Sequence, residues 1–127
     1  MTRKEFSTTV VERRLELIKT VLQSKGTEYG ADITAFHNFE EAIGFSLHNK
    51  PSSTAWEFMV KHLVSIKDII TAYEKEGKLP TEAILQEKIG DAINYLILIE
   101  GLFKQEIITK SEILSQSKLV YNYCDHE

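Results

Sequence analysis

Glu87, Asp91 and Asn94 stand at i, i+4 and i+7 in Gln86-Glu87-Lys88-Ile89-Gly90-Asp91-Ala92-Ile93-Asn94-Tyr95-Leu96-Ile97-Leu98-Ile99. At about 100° per residue, a helix places these three polar side chains on one narrow stripe. The rest of that helix is apolar on nearly every side, a pattern that belongs in an interior. A buried carboxylate needs a proton, a cation or a set of donors. Two carboxylates one turn apart can converge on a hard divalent cation such as Mg²⁺, whose shell a nucleotide's phosphates can complete. Asn94 extends the line and can hydrogen-bond a base, a sugar or a neighbouring carboxylate. The expectation is a shielded polar trio. The plainer alternative pairs Glu87 with Lys88 or another surface cation and leaves only Asp91 and Asn94 inside.

Other side chains can join that site. His62 shares the inward side of its helix with Phe58, Ile66 and Ile69. It reads either as a satisfied core histidine or as a donor to phosphate or to the central acids. Lys61 beside it is a second phosphate candidate. Tyr29 is placed to stack on a base and Asn38 to read its edge; the structural alternative is a tyrosine covering one end of the core and an asparagine capping a short helix. Trp56, near a helix start, reads as core rather than as a ligand platform. Arg13, Arg14 and Lys25 are cations of a first helix, where solvation is the usual fate. No Walker loop, Rossmann glycine pattern, zinc spacing or Ser/His/Asp order appears. Cys124, the single cysteine, has no evident base.

The elements that must position these residues read as helices. A first helix spans about Thr8 to Ser24, with Val11, Leu15, Ile18 and Leu22 as its inward stripe and Lys25-Gly26 as its stop. A short helix from about Phe36 to Phe45 turns Phe36, Phe39 and Ile43 inward. Thr54-Ala55-Trp56-Glu57 fits a capping box opening a helix to about Lys75. Gly77-Lys78-Leu79-Pro80 breaks the chain, and Thr81 caps a central helix to about Lys104. Thr109-Lys110-Ser111-Glu112 fits another box, opening a last helix to about Asp125. Strand signals are weak throughout. The fold class expected is all-α: an antiparallel bundle of four longer helices plus one short helix.

The 127 residues suffice for one domain with a core, not two. A hydrophobic share of 43% and a charged share of 27% are ordinary for a globular chain. The formal net charge of −4 argues against a duplex nucleic-acid partner, which a basic face would attract. One cysteine permits no intrachain disulfide, which fits a reducing compartment. No apolar run reaches the roughly 18–20 residues that cross a bilayer, and Met1-Thr2-Arg3-Lys4-Glu5 lacks a signal peptide's apolar segment. A cytoplasmic protein with no membrane partner is expected.

Lys25-Gly26-Thr27-Glu28-Tyr29-Gly30, His37-Asn38-Phe39, Lys61-His62-Leu63-Val64-Ser65-Ile66 and the Glu87–Leu96 motif occur in that order. Together they resemble a family of small phage proteins, the nucleotide-modification-associated domain, over roughly Leu15 to Lys104. The piece Ile89 to Leu96 is also similar to the third helix of MazG-like all-α nucleotide pyrophosphatases. Those enzymes carry a Glu-x-x-Asp pair there and an acidic Glu-Glu-x-x-Glu cluster on the preceding helix, which together bind Mg²⁺ and activate a water. This chain departs twice. Lys88 stands where the glutamate of Glu-x-x-Asp would be, and the preceding helix offers Lys61-His62-Leu63-Val64-Ser65 instead of acids.

Two functions follow from the resemblance. One is a binder that holds a nucleotide or nucleotide-derived molecule without cleaving it and needs no cofactor; in a phage setting that molecule could be a host immune signal, sequestered in the host cytoplasm. The other is a Mg²⁺-dependent nucleoside triphosphate pyrophosphohydrolase, with metal on Glu87 and Asp91 and further acids from Glu40, Glu41 or Asp68. Exchanging acids for Lys, His and Ser weakens a cation cage and favours direct phosphate binding. A purely helical interaction module is a third reading, which leaves the polar stripe unexplained. A homo-oligomer is expected in the first two, because one short bundle walls only part of a pocket. The helix from about 109 to 125 is the element expected to pack on a neighbouring subunit.

Overall fold

The computed structural model describes the backbone of residues 1–28, 36–44, 47 and 49–124, and the side chains of residues 1–24, 36, 39–44, 47 and 49–118. The described residues are predominantly helical and none of them is in a strand, so the chain is all-α. The elements are α1 (Arg3–Phe6), a π-helical segment (Ser7–Glu12), α2 (Arg13–Glu28), α3 (His37–Ala42), α4 (Pro51–Glu76) and α5 (Glu82–Cys124).

Helix starts and stops follow local chemistry, sometimes at other residues than the sequence suggested. The chain enters its first helix at α1 rather than near Thr8. Thr2 and Glu5 form a reciprocal capping box there, each backbone N–H donating to the other's side-chain oxygen at 3.1 Å, which satisfies two orphan donors. α2 continues past Lys25-Gly26 to Glu28. α4 begins at Pro51, with Lys50 as N-cap. Proline suits this first position because its φ is preset and its missing N–H would be unpaired anyway. Thr54 is therefore one turn inside the helix, fully buried, with its hydroxyl donating back to the Lys50 carbonyl at 3.5 Å. Gly77 ends α4 at φ +66°, with its N–H donating to the Tyr73 carbonyl at 2.9 Å. Only glycine adopts that conformation without strain. Thr81 caps α5, accepting from the Ile84 N–H at 3.2 Å.

The largest departure lies in α5. The central and last helices expected from the sequence are one helix of 43 residues, about 65 Å long at 1.5 Å per residue. Gln105-Glu106-Ile107-Ile108 contains neither glycine nor proline, so nothing interrupts the hydrogen-bond ladder. The Thr109 hydroxyl donates back to the Gln105 carbonyl at 2.9 Å instead of capping a new start. The Thr-x-x-Glu spacing is also what two exposed residues one turn apart produce in mid-helix.

α4 packs along α5, α3 rests on α4, and α2 lies against α5. His62 meets Asp91, while Ala55 shares a cluster with Phe39 and Leu102. Pairings thus advance along α5 as they retreat along α4. Phe36, Tyr95, Leu98 and Ile99 pack against that cluster. Phe39 stands at its centre as expected, with its ring 6.0 Å from Phe58 and 6.2 Å from Tyr95. The expected stripe of the first helix is only half realised. Ile18 and Leu22 are half-buried, whereas Val11 and Leu15 are exposed. Trp56 is 54% exposed, so it does not belong to the core.

Candidate functional site on the α4–α5 seam

α5 carries Asp91 to the seam with α4, where α4 brings His62 to meet it; Asn94 stands one turn on, about 60° round the helix from Asp91. The His62 Nδ1 lies 3.5 Å from an Asp91 carboxylate oxygen, with the two side chains 13% and 29% exposed. That separation exceeds the usual hydrogen-bond range and places the pair as a loose charge contact. Its net worth is about 0–1 kcal/mol, because the carboxylate remains partly solvated. The His62 ring is tilted 31° over Tyr95, centroids 5.2 Å apart. Tyr95 was not singled out from the sequence. Its signal was its place one turn after Asp91, on the same face of the helix.

Asn94 is 8% exposed. Its Oδ1 is buried with no hydrogen-bond partner among the described residues. A buried acceptor left unpaired costs about 1–3 kcal/mol, more than the neighbouring ion pair returns. The seam therefore carries a net stability cost at this point. Most buried polar groups in native proteins are paired, so an orphan calls for an explanation outside the packing.

Glu87 does not join this site. It lies in the exposed first part of α5, with its side chain 62% exposed and 3.7 Å from the Lys88 ammonium. The plainer alternative therefore applies to Glu87, whose carboxylate lies against Lys88 on an exposed turn of α5. Of the expected trio only Asn94 is buried; Asp91 keeps part of its carboxylate in solvent beside His62. Lys61 sits on the exposed side of α4; being next to His62 in sequence, it is turned about 100° away from it. Tyr29 lies outside the described residues, as do the side chains of Asn38, Lys25 and Cys124.

The acids named for a metal cage stay apart. Glu40, Glu41 and Asp68 are exposed. Among the described residues no group of three or more His, Cys, Asp or Glu is placed to hold a metal ion. Asp91 lies against His62 and Glu87 against Lys88. Of the cations on the first helix, Arg13 pairs with Glu16 at 3.6 Å. Arg14 crosses to α5 and donates from Nη1 to the Gln86 carbonyl at 3.1 Å. Gly90 leaves room for that crossing, since a Cβ there would stand 2.8 Å from the Arg14 Nη1.

An open concavity of about 420 Å³ lies elsewhere, lined by Ile107, Ile108, Ser111, Glu112, Ser115 and Gln116. All six belong to α5, so it is a dent along one helix rather than a walled ligand pocket. Comparison with protein-family models, curated proteins and solved structures finds no match. Among the described residues no helix is long and apolar enough to cross a membrane.

Proposed function

We propose that this protein binds a nucleotide or a nucleotide-derived anion at the α4–α5 seam and holds it without cleaving it. The Asn94 Oδ1, buried with no partner among the described residues one turn from the His62–Asp91 pair, supports this reading above any other observation. An asparagine carbonyl accepts from a base amino group or a ribose hydroxyl. Protonated His62 donates to a phosphate oxygen, and the Asp91 carboxylate lies 3.5 Å from its ring. The sequence resemblance to phage nucleotide-handling proteins supplies the ligand class. The replacement of an acidic cluster by Lys61, His62 and Ser65 favours holding over hydrolysis, because a divalent cation prefers several converging oxygens. In a phage setting this would serve to sequester a host nucleotide signal.

The deciding experiment incubates the full chain with a nucleotide panel, with and without Mg²⁺. The mixture is chromatographed before and after heat denaturation. Intact nucleotide recovered only after heating supports capture. Monophosphate and pyrophosphate formed with turnover reject it in favour of a Mg²⁺-dependent pyrophosphohydrolase. Asp91→Asn and Asn94→Ala should each abolish capture while leaving helical circular dichroism intact. Capture by both variants at wild-type level would place the ligand elsewhere.

A further inference from the structure

We infer that one face of the α4–α5 hairpin is a subunit interface and that its occupant is a second copy of this chain. The face is visible by helical position. On α4, Trp56, Val60, Leu63 and Ile70 recur at i, i+4, i+7 and i+14, and all four are exposed. They form a stripe about 100° round the helix from the buried row of Ala55, Met59 and His62. On α5, Leu85, Leu96, Phe103, Ile107 and Leu114 recur at i, i+11, i+18, i+22 and i+29, and all are exposed. This stripe is about 100° from the row of Asp91, Tyr95 and Leu102 that meets α4.

The two helices pair in opposite senses, so turning the same way from the seam on each leads to the same side of the hairpin. Both stripes therefore share one face. Ile89 and Ala92, at i+4 and i+7 on the same line, are half-buried and buried, so the open part of the α5 stripe runs from Leu96 to Leu114. Arg14 reaches α5 at Gln86 and Gly90, roughly 100° beyond the stripe. Asn94 lies nearly opposite the stripe, so the inference does not rest on the nucleotide reading.

Area argues for a copy of the chain as the partner. The chain exposes 10421 Å², whereas a folded monomer of its 14.6 kDa exposes about 6,900 Å². The excess is roughly 3,500 Å², and an obligate homodimer removes about 1,000–2,500 Å² from each subunit. Meanwhile the buried apolar side chains among the described residues are only Phe39, Ala55, Met59, Ala92 and Leu102. So small a core needs its partner present whenever the chain folds, and another copy meets that requirement by synthesis alone. Two hairpins related by a two-fold axis make four packed helices around a shared apolar centre. From Phe103 to Lys118 α5 is exposed throughout, and its dent at Ile107 and Ser111 gives a helix of the second copy a seat.

Trp56 is the only tryptophan, so its fluorescence reports on this face alone. The test combines sedimentation velocity with acrylamide quenching of Trp56 on the full chain at micromolar concentration. The expected result is at least twice the monomer mass, with quenching several-fold weaker than in the urea-unfolded chain. Leu63→Lys and Leu96→Lys should lower the mass and restore quenching, while Lys61→Glu on the other side leaves both unchanged. A monomer with readily quenched Trp56 overturns the inference. So does an oligomer in which Trp56 stays readily quenched. The wild-type measurements decide even where a lysine variant does not fold. A monomer that still captures nucleotide refutes the interface and spares the site; a dimer that captures none does the reverse.

Discussion

At the residue scale, Asn94 separates packing from function more sharply than any other side chain. Its oxygen, without a partner among the described residues, is a stability cost of about 1–3 kcal/mol, and replacing the whole amide by an apolar group of similar size removes that cost. Asn94→Leu is therefore expected to raise stability by about 1 kcal/mol while losing nucleotide capture. Urea titration beside the capture assay checks both halves. A Leu variant less stable than wild type would mean that Asn94 is satisfied by an internal contact or water, and the case for a ligand there would fail. His62 and Asp91 differ in kind. Their contact at 3.5 Å contributes little on its own, and its value lies in setting the charge that a bound anion would meet.

At the element scale, two glycines in α5 show how neighbours decide what a helix tolerates. A Cβ at Gly90 would meet the tip of Arg14, but at Gly101 it would stand 2.8 Å from the Phe36 Cζ and 3.1 Å from its Cε1. The Arg14 tip is exposed and can swing aside, whereas the half-buried Phe36 ring is held against the core cluster. Alanine gains about 1 kcal/mol over glycine in helix propensity. Gly90→Ala should therefore leave the urea midpoint unchanged or raise it. Gly101→Ala should lower stability by about 1 kcal/mol, because overpacking costs about 1–3 kcal/mol. The reverse order would show that Phe36 yields and Arg14 does not. The merged α5 carries a related lesson. A Thr-x-x-Glu box marks a helix start only where something has stopped the preceding helix, and between Lys104 and Thr109 nothing does.

At the scale of the whole molecule, the inferred interface would tie folding to assembly. If the folded chain is an obligate dimer, its melting temperature rises with protein concentration, since association stabilises the native state by mass action. Thermal melts followed by circular dichroism over a hundredfold dilution series should show a midpoint that falls progressively on dilution. A midpoint independent of concentration would mean that the hairpin holds itself together alone. Among the described residues no helix is long and apolar enough to cross a membrane, and charges such as Lys67 and Glu100 interrupt the apolar stripes.

What the sequence by itself determined was the class of structure and most of its punctuation. Helical periodicity, scarce strand signals, Gly77 with Pro80, and Thr81 are local properties, and local hydrogen bonding and sterics carry them directly into the fold. The polar stripe was legible too, because Asp91 and Asn94 fall on one helical face by spacing alone. Only the tertiary structure decided which members of that stripe lose contact with water. Glu87 stays outside because it lies on an exposed turn of α5 against Lys88, and Trp56 stays outside because it lies about 100° round α4 from the row that meets α5. Burial depends on what another segment places overhead, and no window of neighbouring residues contains that information.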